Sequence, residues 1–223
     1  MCPKISVIMP AYNAEKYIAQ AIDSILGQTF GDFEFIILND CSGDRTEEII
    51  LSYADGRIVY VKNEENMGVA ATLNKGFALA KGAYIARMDA DDISLPQRLE
   101  KQLAYMEANP RTAVLGCALE RFGQDIPTQT RLFSSDPGQM RIDMLFACPL
   151  AHPTVLLRKQ AIEELGGYDV AFEGLEDYEL WCRVGEKLRL CDGKGPIAEA
   201  EAQLKARLDT AAQYMATLQQ QLA

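Results

Sequence analysis

Short apolar runs alternate with amphipathic stretches along the first part of this 223-residue chain, and this alternation limits the possible folds more than any other feature. Apolar runs of strand length predict β-strands, and apolar residues that recur every three or four positions predict helices. The predicted strands are residues 5–9, 33–38, 58–61 and 84–88, and the predicted helices between them are residues 14–27, 45–53 and 69–80. Such alternation is typical of an α/β protein with a mostly parallel sheet and helices on both faces.

Polar residues follow each of the four predicted strands. They occupy residues 10–13, 39–40, 63–66 and 89–92. In an open parallel sheet, ligands bind outside the carboxyl ends of the strands. We therefore expect the four polar segments to converge on one crevice.

The last of these segments places three carboxylates within four residues, Asp89-Ala90-Asp91-Asp92, directly after an apolar run. Clustered carboxylates repel one another unless a cation compensates them, and carboxylate oxygens are the ligands that divalent cations prefer. The pattern predicts a metal-diphosphate site with the metal held near Asp89 and Asp91. A carboxylate before a helix can instead cap that helix, and this is the role that we predict for Asp92.

Composition and missing motifs exclude several classes of protein. The chain is 48% hydrophobic and 24% charged, which is ordinary for a globular protein, and its net charge of −10 disfavours nucleic-acid binding. The sequence contains neither the G-x-G-x-x-G pattern nor the P-loop pattern, which disfavours dinucleotide dehydrogenases and P-loop kinases.

The cysteine pattern and the hydropathy predict a cytoplasmic location. Six cysteines are scattered without Cys-x-x-Cys spacing, no secretory leader precedes them, and no apolar run approaches the roughly 20 residues that span a bilayer. We expect a cytoplasmic protein that is at most peripheral to the inner face of the membrane.

Five motifs in order resemble the successive signatures of family 2 glycosyltransferases. They are residues 5–13, residues 36–44, residues 66–68 with 74–76, residues 88–92 and residues 176–181. The resemblance covers about residues 4–190. It implies a GT-A (Rossmann-like) fold, a nucleoside-diphosphate-sugar donor such as a UDP-sugar, and a Mn²⁺ or Mg²⁺ ion. It further implies a glycan or lipid-linked acceptor, transfer with inversion, and a place in polysaccharide biosynthesis.

The resemblance also implies roles for individual residues. The nucleotide would contact Pro10, Ala11, Tyr12, Asn13, Asp40, Asn66, Lys75, Asp89 and Ala90. Within this set, Asp40 would accept a hydrogen bond from the base, and Asp89 would lie near the ribose and the metal. Asp91 would bind the metal, and Asp177 would be the general base that deprotonates the acceptor hydroxyl.

Three further residues are predicted on the acceptor side: His152, Glu176 and Trp181. Each also has a structural interpretation, because a lone histidine is often a hydrogen-bonded core residue and a tryptophan at helical spacing is often core. Glu176 and Asp177 could simply be the acidic first turn of a helix. Arg87, just before the acidic segment, could contact a diphosphate or pair with Asp89 or Asp92.

The sequence is also compatible with two other functions. A sugar nucleotidyltransferase also builds a metal-diphosphate site, although it usually opens with a glycine-rich basic loop, whereas this chain has Pro10-Ala11-Tyr12-Asn13. A non-catalytic module could have kept the nucleotide pocket, although the presence of both Asp91 and Asp177 weighs against it.

The resemblance ends near residue 190, which we take as the end of a catalytic domain over residues 1–190. Residues 191–196 resemble a linker, and residues 197–223 form one uninterrupted helical pattern. Its apolar residues have coiled-coil spacing and are Leu204, Leu208, Ala211, Met215, Leu218 and Leu222. This helix could form a homo-oligomer, pack on its own domain, or be foreign to the catalytic domain.

Overall fold

The computed structural model describes residues 2–122, 128–134 and 136–191, and its first half follows the predicted alternation. The elements are β1 (Ile5–Ala11), α1 (Ile18–Leu26), β2 (Phe33–Asn39), α2 (Thr46–Leu51), β3 (Ile58–Lys62), α3 (Val69–Leu79) and β4 (Tyr84–Arg87). All seven elements predicted between residues 5 and 88 are present, in the predicted order.

The second half is less regular. Its strands are β5 (Val114–Leu115), β6 (Leu119–Arg121), β7 (Gln129–Arg131) and β8 (Leu156–Arg158). Its α-helices are α4 (Arg98–Ala108), α5 (Pro137–Asp143), α6 (Lys159–Glu163) and α7 (Glu176–Cys191). Two 3₁₀ turns, His152–Thr154 and Val170–Phe172, precede β8 and α7 respectively.

Six of these strands form one sheet in the order β3-β2-β1-β4-β8-β5. The first four are parallel, and β8 runs antiparallel to both of its neighbours. The register places Ile8 of β1 beside Ile36 of β2 and Arg87 of β4. The carboxyl ends of β1, β2, β3 and β4 therefore share one edge, as expected for a mostly parallel sheet.

Helices cover both faces of the sheet because the strands are apolar on both sides. On one face, Val7 and Met9 belong to a core cluster with Ile18, Ile22 and Ile25 of α1. On the other face, α3 packs so closely on β1 and β2 that a Cβ on Gly76 would lie 2.6 Å from Ile8 Cγ2. The expectation of helices on both faces is confirmed.

Helix α1 begins at Ile18 and not at residue 14, so the predicted start is wrong. The backbone N–H of Ala14 donates to Thr46 Oγ1 at 2.8 Å, and that of Glu15 donates to Asp44 Oδ2 at 3.1 Å. These bonds tie the segment before α1 to the residues around the start of α2. The first turn of the predicted helix is therefore not helical, because tertiary hydrogen bonds hold its backbone.

The prediction that Asp92 caps the next helix is also wrong, because α4 begins at Arg98. The amide of Leu99 in its first turn donates to the side-chain oxygen of Gln28 at 3.1 Å. The side-chain nitrogen of Gln28, which is buried, also donates to the carbonyl of Leu95 at 2.9 Å. A side chain distant in sequence therefore supplies the cap, which the local pattern could not show.

The chain divides into two compact units. The first comprises Met1–Leu132 and Leu150–Val184, and the second comprises Phe133–Pro149 with Gly185–Ala223. Within the described part of the second unit, Asp136 accepts the amide of Gln139 at 2.7 Å to cap α5, and Arg141 donates to the carbonyl of Gly185 at 3.2 Å. All of the predicted site residues lie in the first unit.

The predicted C-terminal helix, residues 197–223, lies outside the described residues, and so do residues 192–196 of the predicted linker. Cys191 is the last residue of α7. Across the ranges that the structure describes, no helix is both long and apolar enough to cross a membrane.

We predict that Gly82→Ala lowers the free energy of unfolding by about 1–3 kcal/mol, the usual cost of overpacking an interior. A Cβ at residue 82 would lie 2.6 Å from the backbone nitrogen of Ser6 and 2.7 Å from the carbonyl carbon of Ile5, in the interior strand β1. Chemical denaturation measures the change. The matched control is Gly56→Ala, where a Cβ meets nothing within 4 Å, and equal losses in both variants would contradict the packing argument.

Candidate active site

The loops after β1 and β2 are joined by reciprocal hydrogen bonds. The backbone N–H of Asn13 donates to Ser42 Oγ at 3.0 Å, and that of Gly43 donates to Asn13 Oδ1 at 2.9 Å. Asn13 and Cys41 both adopt positive φ, at 50° and 63°, a conformation uncommon for residues other than glycine. The structure thus places Asn13 as a brace between the two loops.

Three other residues predicted to contact the nucleotide lie at the end of β1. Pro10 and Ala11 are its last two residues and pair with Leu38 and Asn39 of β2. Ala11 is buried, whereas the side chain of Tyr12 is 54% exposed at the edge where the strands end. An exposed aromatic side chain on such a braced loop is suited to pack against a nucleoside.

Asp40, which follows β2, holds the start of α3. Its Oδ1 accepts from Asn63 Nδ2 at 2.7 Å and from the amide of Met67 at 2.9 Å, and its Oδ2 accepts the amide of Gly68 at 3.0 Å. The carboxylate is buried. Because a carboxylate oxygen can accept two hydrogen bonds, Oδ2 retains capacity for one further donor, such as a base N–H.

Lys75 and Asn66 belong to the same network. Lys75 Nζ donates to Asn63 Oδ1 at 2.7 Å, and Asn66 Oδ1 accepts the amide of Gly68 at 3.1 Å. Asn63 thereby joins Asp40 to Lys75. In the sequence, residue 63 is only the start of a predicted polar segment, and its linking role was not predicted.

Carboxylates crowd together after β4. Asp91 is exposed, Ala90 is buried, and Asp89 and Asp92 are half-buried. Burial raises the pKa of Asp92 to about 6, and the charges of Asp89 and Asp91 add to this increase. The segment therefore carries unfavourable charge at neutral pH, as the sequence predicted.

Arg87 supplies a fixed cation beside this segment. Its side chain is only 7% exposed, and its guanidinium forms an ion pair with the carboxylate of Asp89. Within the described ranges, its Nε has no hydrogen-bond partner. Of the two interpretations offered for Arg87, the structure shows the ion pair with Asp89.

This group of carboxylates fits a divalent cation that is shared with a ligand. Among the described residues, no three His, Cys, Asp or Glu side chains are arranged to hold a metal ion on their own. Mg²⁺ is typically bound by one or two carboxylates plus substrate phosphates and water, and Mn²⁺ prefers the same hard oxygen ligands. Asp91, with Asp89 beside it, can supply that number of ligands.

The predicted base lies at the start of α7. Glu176, Asp177 and Glu179 are all in its first turn, where negative charge interacts favourably with the helix dipole. Asp177 is half-buried, and its Oδ1 accepts the amide of Tyr178 at 2.7 Å. Asp177 is therefore held in place and retains access to solvent.

The three residues predicted on the acceptor side meet in the interior. His152, Glu176 and Trp181 are all buried. The His152 ring lies edge-on to Trp181 with centroids 6.0 Å apart, and its Nδ1 is 3.7 Å from Glu176 Oε1. The burial of Trp181 favours its core interpretation over stacking on an acceptor sugar.

Tyr168 is a member of this group that the sequence reading missed. Its hydroxyl is 2.8 Å from His152 Nε2, and its backbone exchanges two hydrogen bonds with the side chain of Asn74. A signal was present in the sequence, because Gly166 and Gly167, both at positive φ, form a turn directly before it. Burial is the main cause of the raised pKa of Tyr168, and the charges of Asp177, Glu176 and Asp89 contribute.

Solved structures with the same architecture identify the fold. S. aureus TarS residues 1–349, in complex with UDP, matches with a TM-score of 0.65 and 22% identity, over 81% of this chain and 54% of that chain. The mannosyltransferase PcManGT from Pyrobaculum calidifontis, in complex with GDP-Man and Mn²⁺, matches with a TM-score of 0.63 and 19% identity, over 82% and 52%. The fold is that of the GT-A glycosyltransferases, and the chain spans about half the length of these two structures.

The family is narrower than the fold. Residues 6–166 match the family model for glycosyl transferase family 2. EpsE of Bacillus subtilis, which is provisionally named a glycosyltransferase, is 38% identical over 192 residues, covering 83% of this chain and 68% of EpsE. The O-antigen biosynthesis glycosyltransferase WbnJ of Escherichia coli is 35% identical over 184 residues, covering 81% and 71%. This chain belongs to glycosyl transferase family 2, which confirms the resemblance and makes a sugar nucleotidyltransferase the poorer interpretation.

We predict that Asp92→Asn stabilises the protein at pH 8 and has little effect near pH 4. The folded-state pKa of about 6 lies above the ordinary value of 3.8, so ionised Asp92 opposes folding above pH 6 and protonated Asp92 does not. Because the side chain is partly exposed and screened, we expect only about 1 kcal/mol, or roughly 2–4 °C in the midpoint of thermal unfolding.

Thermal unfolding across this pH range measures the effect. The control is Asp32→Asn, an exposed aspartate just before β2, at the other end of the strands. A lower midpoint for Asp92→Asn at pH 8, or a rise in the midpoint that does not depend on pH, would show that ionisation of Asp92 does not destabilise the folded protein.

Proposed function

We propose that this chain is an inverting glycosyltransferase. It moves a sugar from a nucleoside-diphosphate-sugar to a hydroxyl of a glycan or lipid-linked acceptor. The observation that carries the proposal is the juxtaposition around Tyr168. Its hydroxyl is 2.8 Å from His152 Nε2, and His152 Nδ1 is 3.7 Å from Glu176 Oε1, next to Asp177 in α7. The chain just after His152 is bonded to β4, because the amide of Arg87 donates to the carbonyl of Val155, and Arg87 pairs with Asp89. These contacts support one site for donor-side and base-side carboxylates that are remote in sequence.

A UDP-sugar is the donor that we favour. TarS has been solved with UDP-GlcNAc, with a TM-score of 0.66 to this chain, and WfaP of Escherichia coli, 32% identical over 183 residues, is named as a UDP-Glc-dependent glucosyltransferase. In this chain, Tyr12 would pack on the base, and Asp40 Oδ2 has capacity to accept from it. The braced loops after β1 and β2 would hold both groups in place before the donor arrives.

Asp91, supported by Asp89, would hold Mn²⁺ or Mg²⁺ at the diphosphate of the donor. The cation supplies Lewis-acid stabilisation of the charge that builds on the leaving nucleoside diphosphate. The ion pair with Arg87 keeps the Asp89 carboxylate oriented at the end of β4. Three ionised carboxylates this close together repel one another. This repulsion favours binding of a cation at the site.

Asp177 would act as the general base. Its carboxylate takes the proton of the acceptor hydroxyl while that oxygen forms a bond to the anomeric carbon, and the bond from this carbon to the diphosphate oxygen breaks. The nucleophile attacks opposite the leaving group, so a single displacement inverts the configuration. The electron pair leaves with the nucleoside diphosphate, and the transferred proton remains on Asp177.

Exposed apolar side chains support a lipid-linked acceptor and a peripheral location at the inner face of the membrane. Val170, Phe172 and Leu175 are 59%, 46% and 60% exposed in the segment that leads into α7. Large apolar groups exposed together often mark an interaction site. Since Asp177 lies two residues after Leu175, an acceptor bound there by its lipid would present its sugar close to the base.

We predict that Asp91→Asn and Asp177→Asn separate donor binding from transfer. In a panel of nucleotide sugars with Mn²⁺, the cognate donor should raise the midpoint of thermal unfolding of the wild type, since a ligand at 100 times its Kd stabilises by about 2.7 kcal/mol. Asp91→Asn should lose most of this metal-dependent stabilisation. Asp177→Asn should keep it while release of nucleoside diphosphate in the presence of acceptor falls by at least about 100-fold, the lower range for a general base.

Asp32→Asn serves as the fold control in this panel. If no nucleotide sugar stabilises the wild type, the proposed function is wrong. If Asp177→Asn loses donor binding as fully as Asp91→Asn does, Asp177 is not a dedicated base.

We also predict that the double variant Phe172→Ser, Leu175→Ser discriminates between acceptors. For an acceptor sugar on a long polyprenyl diphosphate, KM should rise at least about tenfold, which corresponds to a loss of about 1.4 kcal/mol of apolar contact. For the same sugar on a short, water-soluble group, KM should stay within about twofold, because that acceptor buries little apolar surface. Steady-state kinetics on both acceptors measure the contrast.

Leu51→Ser provides the control, since Leu51 is 60% exposed on α2, which is remote in sequence from this segment. Equal changes in KM for both acceptors would argue against binding of the lipid at Phe172 and Leu175.

A further inference from the structure

Tyr168, His152 and Glu176 form a buried array that no step of the proposed reaction uses. The Tyr168 hydroxyl is 2.8 Å from His152 Nε2, and His152 Nδ1 is 3.7 Å from Glu176 Oε1. All three side chains are buried, and both ring nitrogens face a protein group. Nε2 of His152 is therefore engaged by Tyr168, and Nδ1 faces the Glu176 carboxylate within the interior.

The chemistry of the three groups determines which atoms carry protons. Burial raises the pKa of Tyr168, so its hydroxyl is protonated and can donate to His152 Nε2. A neutral imidazole that accepts at Nε2 carries its proton on Nδ1, and that proton faces the carboxylate of Glu176. Tyr168 O–H therefore donates to His152 Nε2, and His152 Nδ1–H points toward Glu176. This assignment of the protons is made from the hydrogen-bond network.

The array joins the acceptor side of the site to the donor side. Asn74 Nδ2 donates to the carbonyl of Tyr168 at 2.8 Å, and Tyr168 N donates to Asn74 Oδ1 at 2.9 Å. This fixes Tyr168 to α3. The 3₁₀ turn that carries His152 is fixed to β4, because the amide of Arg87 donates to the carbonyl of Val155 at 3.0 Å.

His152 also touches α7 in two places. One contact is to Glu176, whose Oε2 accepts the amide of Gly174 at 2.7 Å, and the other is the edge-on packing against Trp181. The imidazole thus lies where α3, β4 and the first turns of α7 meet. Asp177 directly follows Glu176, so these contacts hold the backbone from which its side chain extends.

We propose that His152, held as its Nδ1–H tautomer by Tyr168, is a positioning residue that fixes the first turn of α7 and thereby aims Asp177 at the acceptor hydroxyl. The proposal rests on the proposed function for the role of Asp177. Displacing a catalytic group by about 1 Å can cost about 100-fold in rate, so a residue that only positions the base can still control kcat.

The charged and titratable groups that face His152 are Arg87 on β4, Tyr168 before the Val170–Phe172 turn, and Glu176 on α7. The Glu176 carboxylate by itself favours the imidazolium, and burial and Arg87 oppose it. Burial lowers the pKa of His152 well below its usual value, and the nearby Arg87 guanidinium lowers it further. A neutral ring can keep one donor and one acceptor over the whole working pH range, whereas an imidazolium would lose the bond from Tyr168.

Nitrogen NMR tests the tautomer directly, because His152 is the only histidine of the full chain. Two-bond ¹H–¹⁵N correlations on the ¹⁵N-labelled protein should show a protonated Nδ1 and an unprotonated Nε2, with no titration between pH 5.5 and pH 8. Tyr168→Phe should shift the Nε2 resonance. A protonated Nε2 in the wild type, or titration near pH 6.5, would overturn the proposal without any activity measurement.

Kinetics test the positioning role. His152→Asn places an amide nitrogen near the position of Nδ1, whereas His152→Gln places one near Nε2. We expect kcat to fall about 100-fold in His152→Gln and about tenfold or less in His152→Asn, with the donor KM within about twofold in both. The control is Tyr53→Phe, which removes a hydroxyl that donates to the carbonyl of Ala19 and to Asp23 Oδ1 in α1. This substitution should leave kcat unchanged.

The possible failures are distinguishable. If Asp177→Asn remains fully active, the proposed function fails, whatever the NMR shows. If Asp177→Asn is inactive but His152→Gln retains kcat, or loses kcat and donor binding together, then His152 does not position the base.

Discussion

The ion pair between the buried Arg87 guanidinium and Asp89 is the interaction on which the rest of the site depends. Three carboxylates follow β4, and Arg87 pairs with Asp89 and, together with Arg98, offsets part of the charge around Asp92. The same guanidinium lowers the pKa of His152, so it helps to keep the imidazole neutral. One buried cation at the end of a central strand therefore influences both the proposed metal site and the array that holds α7. It compensates the carboxylates only partly, and a divalent cation would compensate both the remaining carboxylate charge and part of the charge of a donor diphosphate.

The donor side is built from hydrogen bonds that hold loops in place. Asp40 orders the start of α3, and Asn13 and Ser42 join the loops after β1 and β2. These bonds are present without any ligand. A site that is already ordered loses less conformational entropy when a ligand binds. Residues that the resemblance assigns to the nucleotide thus also hold the loops in place. Substituting Asp40 would therefore change the loop as well as any contact with the base.

Much of the fold could be predicted because it follows from local periodicity. The four parallel strands are apolar on both faces, and the helices between them have clear apolar stripes, so β1 to β4 and α1 to α3 were all expected. The errors lie where distant side chains intervene. The start of α1 is displaced by hydrogen bonds that the amides of Ala14 and Glu15 donate to Thr46 and Asp44, and α4 is capped by Gln28 and not by Asp92. A local pattern contains no information about such partners.

The sequence by itself determined the class of this protein: a mostly parallel α/β sheet, polar residues at the ends of its strands, and the ordered motifs of family 2 glycosyltransferases. These properties follow from residue types and from short spacings along the chain, and both are present in the sequence before it folds. Only the tertiary structure decided that Arg87 pairs with Asp89, and that Tyr168, His152 and Glu176 meet in the interior. The reason is physical: these contacts join β4, the turn before β8 and α7, and their energies depend on distance and burial, which arise only when the chain has folded.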